Sequence, residues 1–208
     1  MTNLSELLVK HKADGDRYAA PLGEFIKKQR PEIVVETGYG VSTLFILDAL
    51  DANKKGMLYS VDPKPWFADR IEHPRLELIE KKSFDALADL YLRIPEPLDL
   101  FLHDSNHDVE CMTFELEFGF ACLSPGGWIA CDDYVWGGHN AWYKFLSKYM
   151  LADVKLGSLA LAQKTNHHVK IPMDLVRNYN AVCRQIASDA KETRLAAGFE
   201  VDSAAFKE

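Results

Sequence analysis

Apolar and polar positions along the chain alternate between two periods. IVVE (33–36) is a short run rich in β-branched residues, as in a strand buried on both faces. MLYSVD (57–62), RLELIEK (75–81), LDLFLHD (98–104) and GWIACDD (127–133) repeat that pattern. Helical spacing fills the intervals. Leu22, Phe25 and Ile26 lie on one stripe of 17–29, which Pro31 stops. VSTLFILDALD and SFDALADLYLR read as helices, and ADRIE as a short one. Val109, Met112, Leu116, Phe120 and Leu123 form a stripe over 108–123. Ser124-Pro125-Gly126-Gly127 reads as a turn. A helix near 140–150, two strand candidates (VKLGS and LALAQK) and a long C-terminal helix complete the chain.

Repeated strand–helix units with short connections predict an α/β fold. The expected form is a Rossmann-like, doubly wound, seven-stranded and mostly parallel sheet with helices on both faces. We divide the chain into an N-terminal helical segment (1–30), a central domain (31–165) and a C-terminal helical appendage (166–208), all within one globular domain.

Such sheets bind ligands at the carboxyl ends of their strands. The residues there are Glu36 to Gly40, Asp62, Lys82-Ser83, Asp104 to His107, and Asp132 to Tyr134. An acid follows four of the five strands, more than polar loops alone would require.

Gly38 and Gly40 permit a sharp turn and close approach to the main chain. The helix that follows offers free N–H groups. The spacing partly fits a dinucleotide fingerprint, but Thr43 stands at the third glycine position and Glu36 precedes the loop. A carboxylate there repels a pyrophosphate and suits a cationic ligand. The plain structural reading is a tight turn with a capping acid. Asp62, 22 residues after Gly40, suits a ribose diol, or forms a turn before Pro63.

Composition narrows the partners. A chain of 208 residues can bury a core without disulfides. A net charge of −7 gives no support to a nucleic-acid partner. No run approaches the ~18 apolar residues of a membrane span. The N-terminus is too polar for a signal peptide. Cys111, Cys122, Cys131 and Cys183 show no C-x-x-C spacing and read as reduced thiols, so a cytoplasmic location is expected.

V-V-E-T-G-Y-G-V-S resembles motif I of the class I S-adenosylmethionine-dependent methyltransferases. Phe101 to Asp132 resembles a subgroup whose fourth strand ends in D-G-D-H and whose chain returns through L-x-P-G-G to an aspartate. Here these are Asp104-Ser105-Asn106-His107, Glu110 and Glu115, then Leu123 to Gly127 and Asp132-Asp133-Tyr134. Ser105 and Asn106 depart from that pattern. The resemblance covers roughly residues 20–165.

The resemblance implies cofactor contacts from Glu36, Thr37, Gly38, Tyr39, Gly40 and Ser42, with Asp62 at the ribose, Ser83 by the adenine and Asp104 beneath the sulfonium. His107 holds the place of a catalytic lysine in catechol-type relatives, which makes it the candidate base, unless it caps the next helix. Asp104, Asp132 and Asp133 are candidate Mg2+ ligands. YVWGGHNAWY (134–143) is an acceptor lid or a set of packing anchors. Tyr134, Trp136 and His139 are the candidate substrate contacts, and Trp142 and Tyr143 the candidate anchors. His167-His168 lacks a third ligand and reads as structural.

Leu175, Tyr179, Val182 and Ile186 form a stripe for core packing or for a homodimer through the C-terminal helix. The leading expectation is S-adenosylmethionine-dependent methyl transfer to a small-molecule hydroxyl. The alternatives are an NAD-type oxidoreductase and a non-catalytic nucleoside-cofactor-binding protein.

Overall fold

The computed structural model describes residues 4–15, 18–65, 71–94, 97–135 and 139–165. Trp136, the His167-His168 pair, the 174–197 stripe and most of the expected 68–72 helix lie outside these residues, as does the side chain of His139.

The elements in chain order are α1 (Leu4–Lys10), α2 (Lys12–Gly15), α3 (Ala19–Gln29), β1 (Ile33–Thr37), α4 (Val41–Asn53), β2 (Met57–Val61) and β3 (Leu76–Ile79). Then come α5 (Ser83–Arg93), β4 (Leu98–His103), α6 (Val109–Cys122), β5 (Leu123–Cys131), α7 (His139–Tyr149), β6 (Asp153–Leu156) and β7 (Leu159–Gln163). They build one seven-stranded sheet in the order β3-β2-β1-β4-β5-β7-β6. The first five strands are parallel, and β7 and β6 add an antiparallel end. This is the expected mostly parallel α/β fold.

The strand order places the reversal between β1 and β4, which pair from Val34↔Leu100 to Thr37↔His103. Open α/β sheets bind ligands at such a switch point, beyond the strands' carboxyl ends. Asp99 fixes the other end of β1: its Oδ2 accepts from Glu32 N at 2.7 Å and Ile33 N at 3.1 Å.

Helices α4 and α6 are apolar on nearly every side because each is covered from two directions. Helix α4 touches α1, α2 and α3 as well as β2, while α6 touches β4, β5, α5 and α7. Leu44, Leu47 and Leu50 of α4 join Leu22, Ile26, Val34, Leu58 and Leu100 in one core cluster. On α6, Gly119 lies against the Phe101 ring, where a Cβ would collide.

The expected turn at 124–127 lies inside β5. Leu98 pairs with Leu123, but Leu100 pairs with Trp128, so the intervening residues bulge. Gly126 takes φ +86, its N–H donates to Lys164 O at 2.8 Å, and its carbonyl accepts from Gln163 Nε2 at 2.9 Å. Pairing with β7 therefore keeps this glycine-rich segment within the sheet. The fully buried Trp142 donates from Nε1 to Asp153 Oδ2 at 3.1 Å, which makes it an anchor of α7. Cys111, Cys122 and Cys131 are free thiols.

Candidate active site

The turn after β1 is drawn tight against β4. Gly38 has φ +99, and a Cβ on it would fall inside the Asp104 carbonyl. Gly38 N donates to Val61 O at 2.9 Å, and Asp104 N donates to Thr37 O at 2.9 Å. The ends of β1, β2 and β4 are thus stitched together at this glycine.

Glu36 is fully buried behind the turn. It accepts from Thr43 Oγ1 at 2.6 Å and Ser42 Oγ at 3.3 Å. Thr43 Oγ1 in turn accepts from Gly40 N at 3.1 Å, closing the first turn of α4. Burial pushes the Glu36 carboxyl up to about 7, against the pull of Thr43, Ser60 and Ser42. Near neutral pH it sits between its charged and neutral forms.

Asp62 closes β2. Its Oδ2 accepts from Tyr39 N at 2.9 Å and its Oδ1 from Lys64 N at 2.6 Å. Each oxygen keeps a lone pair for a diol. Tyr39 itself turns inward, is buried, and accepts from Ile71 N through its hydroxyl at 3.0 Å. The Ser83 side chain helps to lower the pKa of Glu115.

At the ends of β4 and β5, Asp104 and Asp132 lie close enough for each to shift the other's ionisation. Burial and then the Asp132 charge hold the Asp104 carboxyl well above the usual carboxylate range, opposed by Ser42. Burial also raises Asp132, opposed by the Ser158 hydroxyl, which donates to its Oδ1 at 2.8 Å. Asp133 follows in the left-handed conformation at φ 47. Among the described residues, no three of His, Cys, Asp and Glu converge as a ready metal set. The chemistry of the Asp104–Asp132 pair suits a hard divalent cation, since Mg2+ is commonly held by one or two carboxylates plus water and substrate oxygens.

His107 stands beside this pair. Its Nε2 is buried without a hydrogen-bond partner. Burial and then the neighbouring His103 lower its pKa below the usual histidine value, against the pull of Asp133, Asp132 and Glu115. The imidazole is therefore neutral at pH 7. Helix α6 is capped by Asp108, whose Oδ1 accepts from Cys111 N at 2.9 Å, so capping does not fall to His107. Tyr134 is buried, with Lys155 Nζ 5.4 Å from its ring centre.

Two groups at the site, Tyr18 and His103, were not expected from sequence, and Glu115 was named there only within the resemblance. Tyr18, just before α3, has its hydroxyl pKa raised by burial and then by Asp104, Asp132, Glu36 and Asp133, which places it near the acids. His103 and Glu115 lie beneath the β4 end, paired through Nδ1 and Oε2 at 2.6 Å. Glu115 had a readable signal: it is an acid on the same helical face as Met112 and Gly119.

The site is acidic. Among the described residues, no lysine or arginine pairs with Glu36, Asp62, Asp104, Asp132 or Asp133. Such a site suits a ligand carrying positive charge and a ribose. S-adenosylmethionine, with a sulfonium and an ammonium, has both.

Comparison with known proteins agrees. Residues 35–134 match a family described as "Methyltransferase domain". No curated protein sequence matches the chain. The chain resembles the O-methyltransferase TomG from Streptomyces achromogenes, solved with SAM, at 17% identity and TM-score 0.60, covering 78% of this chain and 89% of that one. It resembles an O-methyltransferase from Bacillus cereus, solved with SAH, at 16% identity and TM-score 0.56, covering 77% and 90%. It also resembles MycE of the mycinamycin biosynthetic pathway, solved with Mg, SAH and mycinamycin VI, at 18% identity and TM-score 0.57, covering 82% of this chain and 57% of that one. At these identities the likeness is one of fold. Residues 35–134 thus match a methyltransferase domain, and the chain has the class I fold of the S-adenosylmethionine-dependent methyltransferases.

Proposed function

We propose that the chain transfers the methyl group of S-adenosylmethionine to a hydroxyl oxygen of a small molecule, with His107 as general base. The observation that carries this reading is the neutral imidazole of His107, its Nε2 without a partner, beside the acidic ends of β4 and β5. Methyl transfer is an in-line displacement, so the protein must mainly align the acceptor and take its proton. The names of TomG and the Bacillus cereus protein support oxygen as the acceptor atom.

Glu36, through Ser42, offsets the positive charge of the methionine part. Thr37, Gly38, Tyr39 and Gly40 shape the turn against which that part lies. Asp62 accepts from the ribose hydroxyls. Ser83 lies by the adenine. Asp104 lies beneath the sulfonium. Tyr134, Trp136 and His139 contact the acceptor.

A Mg2+ ion fits the same carboxyl ends: Asp104 and Asp132 would hold it, with Asp133 as the adjacent third carboxylate. When bound, it would lower the pKa of the acceptor hydroxyl. No helix among the described residues is long and apolar enough to cross a membrane. The free thiols of Cys111, Cys122 and Cys131 support a cytoplasmic location. A homodimer through the C-terminal helix remains part of the proposal.

The test is release of S-adenosylhomocysteine from S-adenosylmethionine with a panel of phenols, catechols and sugars, with and without Mg2+. The expected result is turnover with one hydroxyl class, lost in His107→Ala while cofactor binding is kept. Methylation confined to amine or thiol acceptors would contradict the oxygen assignment.

A further inference from the structure

We infer that Glu115 is a positioning residue for the cofactor site, a buried clamp that ties together the segments forming its walls. The inference rests on the methyltransferase reading above and names a residue that no part of that reading uses.

Glu115 sits mid-way along α6 and is fully buried. Its carboxylate accepts from the Thr37 hydroxyl at the end of β1. It accepts from His103 Nδ1 at the end of β4, at 2.6 Å. Ser105 Oγ, in the loop after β4, lies 2.9 Å from both of its oxygens. Ser83, the first residue of α5, helps to hold the carboxyl's pKa down, and Cys111 Sγ lies 3.4 Å from Oε1.

Thus one carboxylate gathers donors from the ends of two strands, β1 and β4, that lie far apart in sequence. Thr37 is 78 residues away, and Ser105 is 10. Both places bear candidate cofactor contacts: Thr37 is itself one and adjoins Gly38, and His103 and Ser105 flank Asp104. Burial alone would raise the Glu115 carboxyl, but His103 and the hydroxyls more than offset it and hold it below the usual value.

A charge buried this completely is tolerated only when its lone pairs are satisfied. Apolar residues of similar volume often stabilise a core as well or better. What they cannot supply is direction. A carboxylate fixes the rotamers of its donors and, through them, the relative placement of the backbones that carry them. His103 extends this support toward the base: its ring stands edge-on to His107, with centroids 5.4 Å apart.

The experiment measures the affinity of S-adenosylhomocysteine by calorimetry, well below each variant's own melting temperature. Glu115→Gln keeps the shape but sets an amide among donors. Thr37→Val and Ser105→Ala each remove one donor and leave the carboxylate in place, which guards against a Glu115 variant that fails to fold. Thr37→Ser restores the hydroxyl. Lys164→Met destabilises a remote part of the fold and is the control for stability alone.

The expected result is a loss of about 3- to 10-fold for each single-donor variant. Glu115→Gln should lose more, Thr37→Ser should recover, and Lys164→Met should match the wild type. Unchanged affinity in Thr37→Val and Ser105→Ala, with the wild type binding, overturns the inference and leaves the methyltransferase reading intact. Losses that track melting temperature across all variants, Lys164→Met included, also overturn it. A wild type that binds no S-adenosylhomocysteine overturns both.

Discussion

Gly38 lies so close to Asp104 that no side chain fits between them: a Cβ on the glycine would overlap the Asp104 carbonyl. The contact joins the ends of β1 and β4, the parallel neighbours at which the strand order reverses. Gly38→Ala must therefore move backbone and adopt a positive φ with a side chain. We expect a stability loss of about 2–4 kcal/mol, from the collision and strain together. A urea melt checks this, and a loss under ~0.5 kcal/mol would show that the turn relaxes freely.

Asp132 opposes the ionisation of Asp104, while Asp104 favours the ionised form of Asp132. The native pKa of Asp132 lies above its ordinary value, chiefly through burial. The folded state therefore holds a proton that the unfolded chain has released, and this group's contribution to stability falls as pH rises above the unfolded value. Asp132→Asn removes that penalty and keeps an oxygen for Ser158. The variant should melt higher than the wild type at pH 8, with the gap closing toward pH 4. Each kcal/mol gained raises the midpoint by roughly 2–4 °C. Turnover should fall, the usual trade of stability against function. A variant less stable than the wild type at pH 8 would show that the pair attracts.

His107 has a lowered pKa, through burial first and His103 second. As a base it must be neutral. The acid limb of kcat/KM should therefore turn over below pH 6.5, the ordinary histidine value, with a plateau at neutrality. His107→Ala should remove this limb along with most of the rate, about 10²- to 10⁴-fold for a lost general base. An acid limb that survives the substitution would assign it to another group.

Lys164 is a buried cation with a structural task. Its Nζ donates to Leu123 O at 2.7 Å, Phe120 O at 2.9 Å and Ala121 O at 3.3 Å, where α6 ends and β5 begins. Carbonyls there have no helical partner of their own. Lys164→Met should cost about 1.5–3 kcal/mol in a thermal or urea melt. A loss within ~0.5 kcal/mol would mean that water serves these carbonyls as well.

Much of the site was legible because it follows a simple rule. Glu36, Asp62, Asp104 and Asp132 are acids at the ends of apolar runs, and the α/β alternation brings such ends to one edge. The Gly38–Gly40 turn was legible from the glycines alone. The clamp was not. Glu115 meets Thr37 only because β1 and β4 are neighbours in the sheet, which local periodicity does not reveal. Tyr18 was missed for the same reason. The strand β5 was read too short because the sequence SPGG signals a turn, and its place in the sheet depends on Gly126 pairing with the distant Lys164 backbone.

We propose that Glu36, an acid buried behind a glycine turn, serves a cationic cofactor. Glu36, with its pKa raised to about 7, holds its proton in part at neutral pH. A cation bound nearby favours the ionised form, so S-adenosylmethionine should expel that proton. The measurement is calorimetric titration of the protein with S-adenosylmethionine at pH 7, in two buffers of different ionisation enthalpy. The account predicts binding at one site per chain, with a heat that differs between buffers in the sense of proton release. Glu36→Gln should abolish the difference. Binding with no buffer dependence would contradict the role of Glu36, and no binding at all would contradict the account.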